Sequence, residues 1–262
     1  MVFYRLVLTA MFVGAVSGLL YTAVQRIQVI PIIQVAETYE DNPGGPAAAA
    51  PAGKQEEAAA HSHATHSHHA HDEASTWEPE EGIERTAYTW LTNTLTAIGL
   101  AMVLVALMVA TRGASTLSSL TWLQGLAWGL AGYGAFFVAP ALGLPPEIPG
   151  TASPALEDRQ LWWIMAVGFT AAGLLGAAFI KSPWRWAALL LLVVPHLVGA
   201  PHLDPGDSHF PTHPPAVAAE LTKLTWQFVG ATALANAALW LTLGLTSVWA
   251  LRRFVAPVDT HS

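Results

Sequence analysis

Long uncharged apolar blocks alternate along this chain with polar, proline-rich stretches. Six blocks stand out, at about residues 6–24, 87–110, 122–142, 161–180, 186–200 and 225–251. A helix needs about 20 apolar residues to cross a bilayer core, and these blocks meet or nearly meet that length. The weakest is 186–200, which is short and holds Pro195. The pattern predicts an all-α fold, a polytopic transmembrane bundle of about six helices forming one membrane domain over 1–262. Without the weak fifth block there are five helices and one terminus changes sides. The first block is also open to reading as a signal peptide. Signal h-regions run about 7–15 residues and end in a small-residue cleavage site. This block is longer and runs out through Leu20-Tyr21-Thr22-Ala23-Val24-Gln25-Arg26, which favours an uncleaved helix.

Composition supports the membrane reading. The chain is 53% hydrophobic and only 11% charged, against about 25% charged in soluble domains. So few charges cannot cover a water-exposed surface. The charges are also segregated. If the N-terminus lies in the cytoplasm of a six-helix protein, that side holds Arg5, Arg112, Lys181, Arg185, Arg252 and Arg253, with Asp259 as its only acid. Every other acid falls on the opposite side. Short cytoplasmic loops favour Lys and Arg, so a bacterial inner-membrane protein with both termini cytoplasmic is expected. There is no cysteine, which removes disulfides, thiolate metal sites and thiol nucleophiles. Any metal must be held by imidazole, carboxylate, carbonyl, thioether or water.

The chemistry-bearing residues crowd the loops. His61, His63, His66, His68, His69 and His71 form a dense tract. It sits in a first outward loop of about 25–86, within a His-rich insert over 41–76. Residues 43–60 there are mostly Pro, Gly and Ala with no apolar face, the composition of a disordered segment. Neutral imidazole binds cobalt, nickel, zinc and copper, and a flexible tract suits capture and hand-off. The bland reading is an incidental polar tract. A second cluster follows the fifth block: His196, His202, Asp204, Asp207, His209 and His213. His196 is the only histidine inside an apolar block, and an ionisable group there suggests function, although it could simply bond a backbone carbonyl. Glu37 and Glu40 follow the first block, and Glu81 and Glu84 precede the second. They either cap helices and pair with Arg26 or Arg85, or line an acidic vestibule. The vestibule reading brings Glu37, Glu40, Glu81, Glu84, His196 and His202 together.

Inside the blocks there is no Asp, Glu, Lys or Arg, and the polar groups in or near them are Asn93, Gln124, Gln160, Gln227 and Asn236. No Walker motif is present to power transport. Gly14 and Gly18 are four apart, as are Gly125 and Gly129, the spacing that lets membrane helices approach closely. Trp162, Trp163, Trp184, Trp186 and Trp249 sit near block ends, as an interfacial aromatic belt would.

Several stretches together resemble the CbtA family of probable cobalt transporter subunits. They are Ala36-Glu37-Thr38-Tyr39-Glu40, the run Trp77 to Thr86, Ala139 to Glu147, Arg159-Gln160-Leu161-Trp162-Trp163, and Pro195 to Pro201. The resemblance implies a role in cobalt uptake beside a small one-helix, His-containing CbtB-like subunit. It carries over no ligand residue. The family is often described with five helices, which differs from the six counted here.

The resulting expectation is a non-enzymatic membrane subunit for uptake of a divalent transition metal. Co2+ is the first choice, with Ni2+ or Zn2+ as alternatives. The lipid bilayer, the CbtB-like subunit and a second copy of the chain are the candidate partners, and no nucleic acid is expected. A metal-binding accessory or sensor that does not conduct is the main alternative. A zinc hydrolase within the membrane is a remote one, because only one histidine lies at membrane depth.

Overall fold

The computed structural model describes residues 2–41, 82–204 and 208–256. The described residues form seven helices and no strand. These are α1 (Val2–Gln28), α2 (Ile30–Asp41), α3 (Ile83–Arg112), α4 (122–141), α5 (Leu156–Phe179), α6 (Pro183–Val198) and α7 (Pro215–Val255). Four of them, α1, α3, α5 and α7, are long and apolar enough to cross a membrane. Many large apolar side chains on these helices stay exposed, among them Leu19, Leu95, Ile164 and Leu234. In water that would be costly. Against lipid tails it costs nothing, so the outer surface fits a bilayer.

All except α2 alternate in direction between two faces of the bundle. One, the basic face, carries the start of α1 and the end of α7, joined by Phe12 against Trp249 and Phe254 at 5.7 and 6.1 Å. The other, the loop face, carries α2 and the segments 142–155 and 199–214. Helices α1, α3, α4 and α7 make the inner bundle, and α5 with α6 form an outlying pair reached through α4. Both glycine pairs are contact points. A Cβ on Gly14 would strike the backbone of Ile98 in α3, and one on Gly18 would lie 2.6 Å from Thr94 Cα. Likewise Gly125 and Gly129 lie against Gly244 and Trp240 of α7.

The short fifth block is α6, and its geometry compensates for its length. Pro183–Val193 is a 3-10 helix and Val194–Val198 is α-helical. A 3-10 helix rises about 2.0 Å per residue against about 1.5 Å in an α-helix. The segment therefore extends roughly 30 Å, close to a hydrocarbon core. Helix α4 is also irregular, with a π-turn at Gly134–Val138 just before Pro140. Proline lacks the N–H and clashes with the carbonyl four residues back, and the wider turn accommodates that.

Two boundaries differ from the sequence-based expectation. Residues 30–41 lie in the expected loop but form α2. Pro31 sits in its first turn, where a missing N–H costs nothing, and Ile32, Ala36 and Tyr39 repeat on one face. That face packs on Ile148, Phe210 and Leu221. Helix α7 starts at Pro215, about ten residues before the expected block. The charges of Glu220 and Lys223 obscured it, yet they pair with each other at 2.8 Å on the exposed side, while Val217, Leu221 and Leu224 cover α2.

Candidate functional site

The loop face gathers the stretches that carried the family resemblance, and ion pairs hold them. Arg85 at the start of α3 donates to Glu37 of α2 at 2.6 Å. Arg159 in the first turns of α5 reaches Glu147 of the preceding loop at 3.0 Å, and the Ser153 hydroxyl donates to the same carboxylate oxygen at 2.6 Å. This second pair borders a cleft of about 500 Å³ between the end of α4 and the start of α5, walled by Pro140, Gln160 and Trp163. Trp162 is buried and its Nε1–H donates to the Pro195 carbonyl at 3.2 Å. Expected in an interfacial belt, it is instead buried and ties α5 to α6. Trp184 and Trp186 are exposed, as a belt requires.

The candidate ligands are spread over this face. The half-buried His196 ring meets Trp162 edge-on at 5.9 Å, and neither of its nitrogens makes a hydrogen bond among the described residues. The carbonyl-bonded alternative is therefore not what the structure contains. His213 is committed on both sides. Its Nε2 lies 3.2 Å from the Tyr39 carbonyl and its Nδ1 3.0 Å from the Thr212 hydroxyl. A carbonyl only accepts, so Nε2 carries the proton and Nδ1 accepts from Thr212. His202, Asp204 and His209 are exposed. The His209 carbonyl accepts from the Ala152 amide at 2.8 Å, which pins the backbone and leaves the ring free. Glu40 is exposed and lies beside Gly150. Glu84 is half-buried in the first turn of α3.

Among the described residues, no three His, Asp or Glu side chains come close enough to hold one ion. Of the expected vestibule of Glu37, Glu40, Glu81, Glu84, His196 and His202, the five described members therefore hold no three-ligand group, and Glu37 pairs with Arg85, as the bland alternative required. The unforeseen α2 sets Glu37 against Arg85 and Glu40 beside Gly150, whereas His196 on α6 lies against Trp162 of α5. The tract His61, His63, His66, His68, His69 and His71 lies outside the described residues, as do Glu81, Asp207 and nearly all of the 41–76 insert.

Inside the bundle is a second set of polar residues, of which sequence reading named Asn93 and Asn236 but passed over Tyr21 and Gln25. Asn93 of α3 donates through Nδ2 to Gln25 Oε1 at 2.6 Å and to Thr22 Oγ1 at 3.1 Å, both on α1. The Tyr21 hydroxyl lies in the neighbourhood of Gln25 and of Asn236 on α7. A signal was present: Ser17, Tyr21 and Gln25 are polar at four-residue spacing along the first apolar block and just past its end.

The fold and this distribution of groups define a multi-pass α-helical membrane protein, with the described acids and histidines on the loop face and neutral polar groups within. The chain belongs to the CbtA family, described as a probable cobalt transporter subunit, whose family model matches residues 3–252. No curated protein and no solved structure matches it.

Proposed function

We propose that the chain is the membrane subunit of a cobalt uptake system, placed with its loop face on the non-cytoplasmic side of a bacterial inner membrane. Family membership over nearly the whole chain carries the reading. Charge supports the orientation: Arg5, Arg112, Arg252 and Arg253 lie at the basic face, the side that positive residues favour. The tract from His61 to His71 then captures the ion. His202, Asp204, Asp207 and His209 extend that surface, and Glu40, Glu81, Glu84 and His196 lead on from it. Mixed imidazole and carboxylate donors accept Co2+, and equally Ni2+ or Zn2+. Ligands that are dispersed bind weakly and exchange fast, which suits passing an ion onward.

A subunit implies a second component. A small one-helix, His-containing protein of the CbtB type is the proposed partner, with a second copy of the chain as the other candidate. The test is uptake of radioactive cobalt by cells that express the chain, the small partner, both or neither. Saturable import that needs both is the expected result. Cell-associated cobalt without saturable import would replace this reading with that of a metal-binding accessory or sensor.

A further inference from the structure

We propose that the contact of α1, α3 and α7 contains a charge-free transit site for a partly hydrated divalent cation, formed by Tyr21, Gln25, Asn93 and Asn236. This rests on the transport reading above and names the place where the ion enters the inner bundle from the loop face.

Asn93 bonds Gln25 and Thr22 across α3 and α1, and the Tyr21 hydroxyl lies in the neighbourhood of Gln25 and of Asn236 on α7. Their N–H groups are largely spent. Asn93 Nδ2 serves Gln25 and Thr22, and Asn236 Nδ2 donates to the Thr232 carbonyl at 3.0 Å. Oxygens are left over. Asn93 Oδ1 accepts no hydrogen bond among the described residues. The hydroxyls of Ser17, Thr94 and Thr232 are buried without a partner, and Ser17 is fully enclosed. Ser17 lies on the stripe of Tyr21 and Gln25, one turn deeper, and Thr232 lies one turn from Asn236 on α7. Thr94 adjoins Asn93 and faces Gly18.

Helix adhesion alone does not explain this surplus. Hydrogen bonds between membrane helices contribute only about 0.6 kcal/mol on average, and each buried polar group without a partner costs about 1–3 kcal/mol. A cation with its remaining water takes up the free oxygens. The absence of carboxylates fits passage: a site on a conduction route must attract the ion yet release it. A full negative charge at this depth would hold a divalent ion too tightly.

The seam is placed for entry from the loop face. Arg85, Thr89 and Asn93 lie on one stripe of α3, so Asn93 sits about 12 Å inside the Arg85 level. The guanidinium at that level would repel a cation, and the Glu37 carboxylate at 2.6 Å offsets its charge. Toward the basic face the same helices close over Val13, Ala101 and Leu243, all fully buried. The seam therefore ends against an apolar plug.

The test uses Asn93→Asp, Asn236→Asp and Tyr21→Phe at the native locus, so that any partner subunit is present. Initial rates of radioactive cobalt uptake are followed against concentration, with membrane abundance matched. An added carboxylate should lower the half-saturating concentration and the maximal rate together, each by about ten-fold. Tyr21→Phe keeps the packing and should lower the maximal rate several-fold. Saturable wild-type uptake with all three variants unchanged would overturn the site. If the Asp variants are lost from the membrane, Tyr21→Phe decides alone, and wild-type kinetics there overturn it. Absence of saturable uptake by the wild type would remove the transport reading, and this site with it.

Discussion

Two parts of the bundle solve the same packing problem with different chemistry. Helices α1, α3, α4 and α7 meet through glycines, and so do α5 and α6, where Gly173 and Gly176 lie against Ala188 and Leu192. What differs is what stands beside the glycines. Next to Gly18 lie Thr22 and Thr94, and Asn93 beside Thr94 bonds Thr22 and Gln25 of α1. Between α5 and α6 the neighbours are leucine and alanine, and the hydrogen bond that links their side chains and backbone is at the loop end, from Trp162 to Pro195. The outer pair therefore behaves as a strut that holds Trp162 and His196 at the loop face. The inner helices place polar groups at membrane depth, where such groups are expensive and mark function.

The largest expected effect separates the two kinds of glycine contact. A Cβ on Gly244 would run into the Gly125 carbonyl and lie 2.7 Å from the Gly129 amide nitrogen, all of it backbone that cannot swing aside. Gly244→Ala should destabilise the protein by more than about 3 kcal/mol and empty the membrane of folded protein. At Gly176 the added methyl would meet side chains rather than backbone, Ala188 Cβ at 2.7 Å and Ile180 Cδ1 at 3.5 Å, so Gly176→Ala should cost about 1–2 kcal/mol. Gly168 has open space around it, and its alanine variant should unfold at the wild-type temperature. Thermal unfolding in detergent ranks the three. Equal losses at Gly244 and Gly176 would mean that the inner and outer contacts are equally tight.

Next comes the strut's own cargo. His196→Ala should impair cobalt uptake several-fold without lowering abundance, because its free ring on the strut has no substitute. Alanine at any one of His61, His63, His66, His68, His69 or His71 should have little effect, since five others remain. Deleting 61–71 should lower uptake at scarce cobalt and spare it when cobalt is plentiful, as expected of a device that raises local concentration. Complete loss at plentiful cobalt would place the tract in the path itself.

Trp162→Phe tests the tie. It removes the bond to the Pro195 carbonyl and keeps most of the ring. A buried carbonyl left without its donor costs about 1–3 kcal/mol. Folding should weaken by that amount and, if the strut positions His196, the uptake defect should resemble that of His196→Ala in kind but be smaller.

Much of this was legible in the sequence, and what was missed has physical causes. Apolar length and charge segregation gave the helices and the common face of their ends. The four-residue glycine spacings at 14 and 18 and at 125 and 129 gave two true contacts, because close approach in lipid needs a missing Cβ whatever the fold. Helix α2 was missed because Ile30-Pro31 reads as a break, although proline is harmless in a first turn. The start of α7 was missed because Glu220 and Lys223 read as loop, although they are three apart and pair on the helix surface. The pairing of Glu37 was hidden for a related reason. Proximity to a block end says nothing about azimuth, and it could not say that Glu37 would turn toward Arg85 rather than His196. The polar seam was visible only in part. Asn93 and Asn236 stood out, but Tyr21 and Gln25 gain meaning only when three helices are brought together.

The smallest effect is expected at the two ion pairs, and it bears on the same contrast. Glu37 and Arg85 join α2 to the inner bundle, and their side chains are 36% and 33% exposed. Glu147 and Arg159 brace the start of the outer strut at 22% and 32%. Solvent screens pairs this exposed, and each should contribute about 1 kcal/mol or less. Glu147→Gln also disturbs the bond from Ser153, so it should cost slightly more than Glu37→Gln in thermal unfolding. Function should reverse that order. The Glu37 carboxylate offsets the Arg85 charge at the entrance to the seam, whereas Glu147 stands beside the strut. Glu37→Gln should therefore raise the half-saturating cobalt concentration, and more so at low ionic strength, where charge acts over longer distances. Glu147→Gln should leave it unchanged at either ionic strength. An equal shift in both variants would mean that the whole loop face acts as one diffuse field and that the entrance over Asn93 has no special standing.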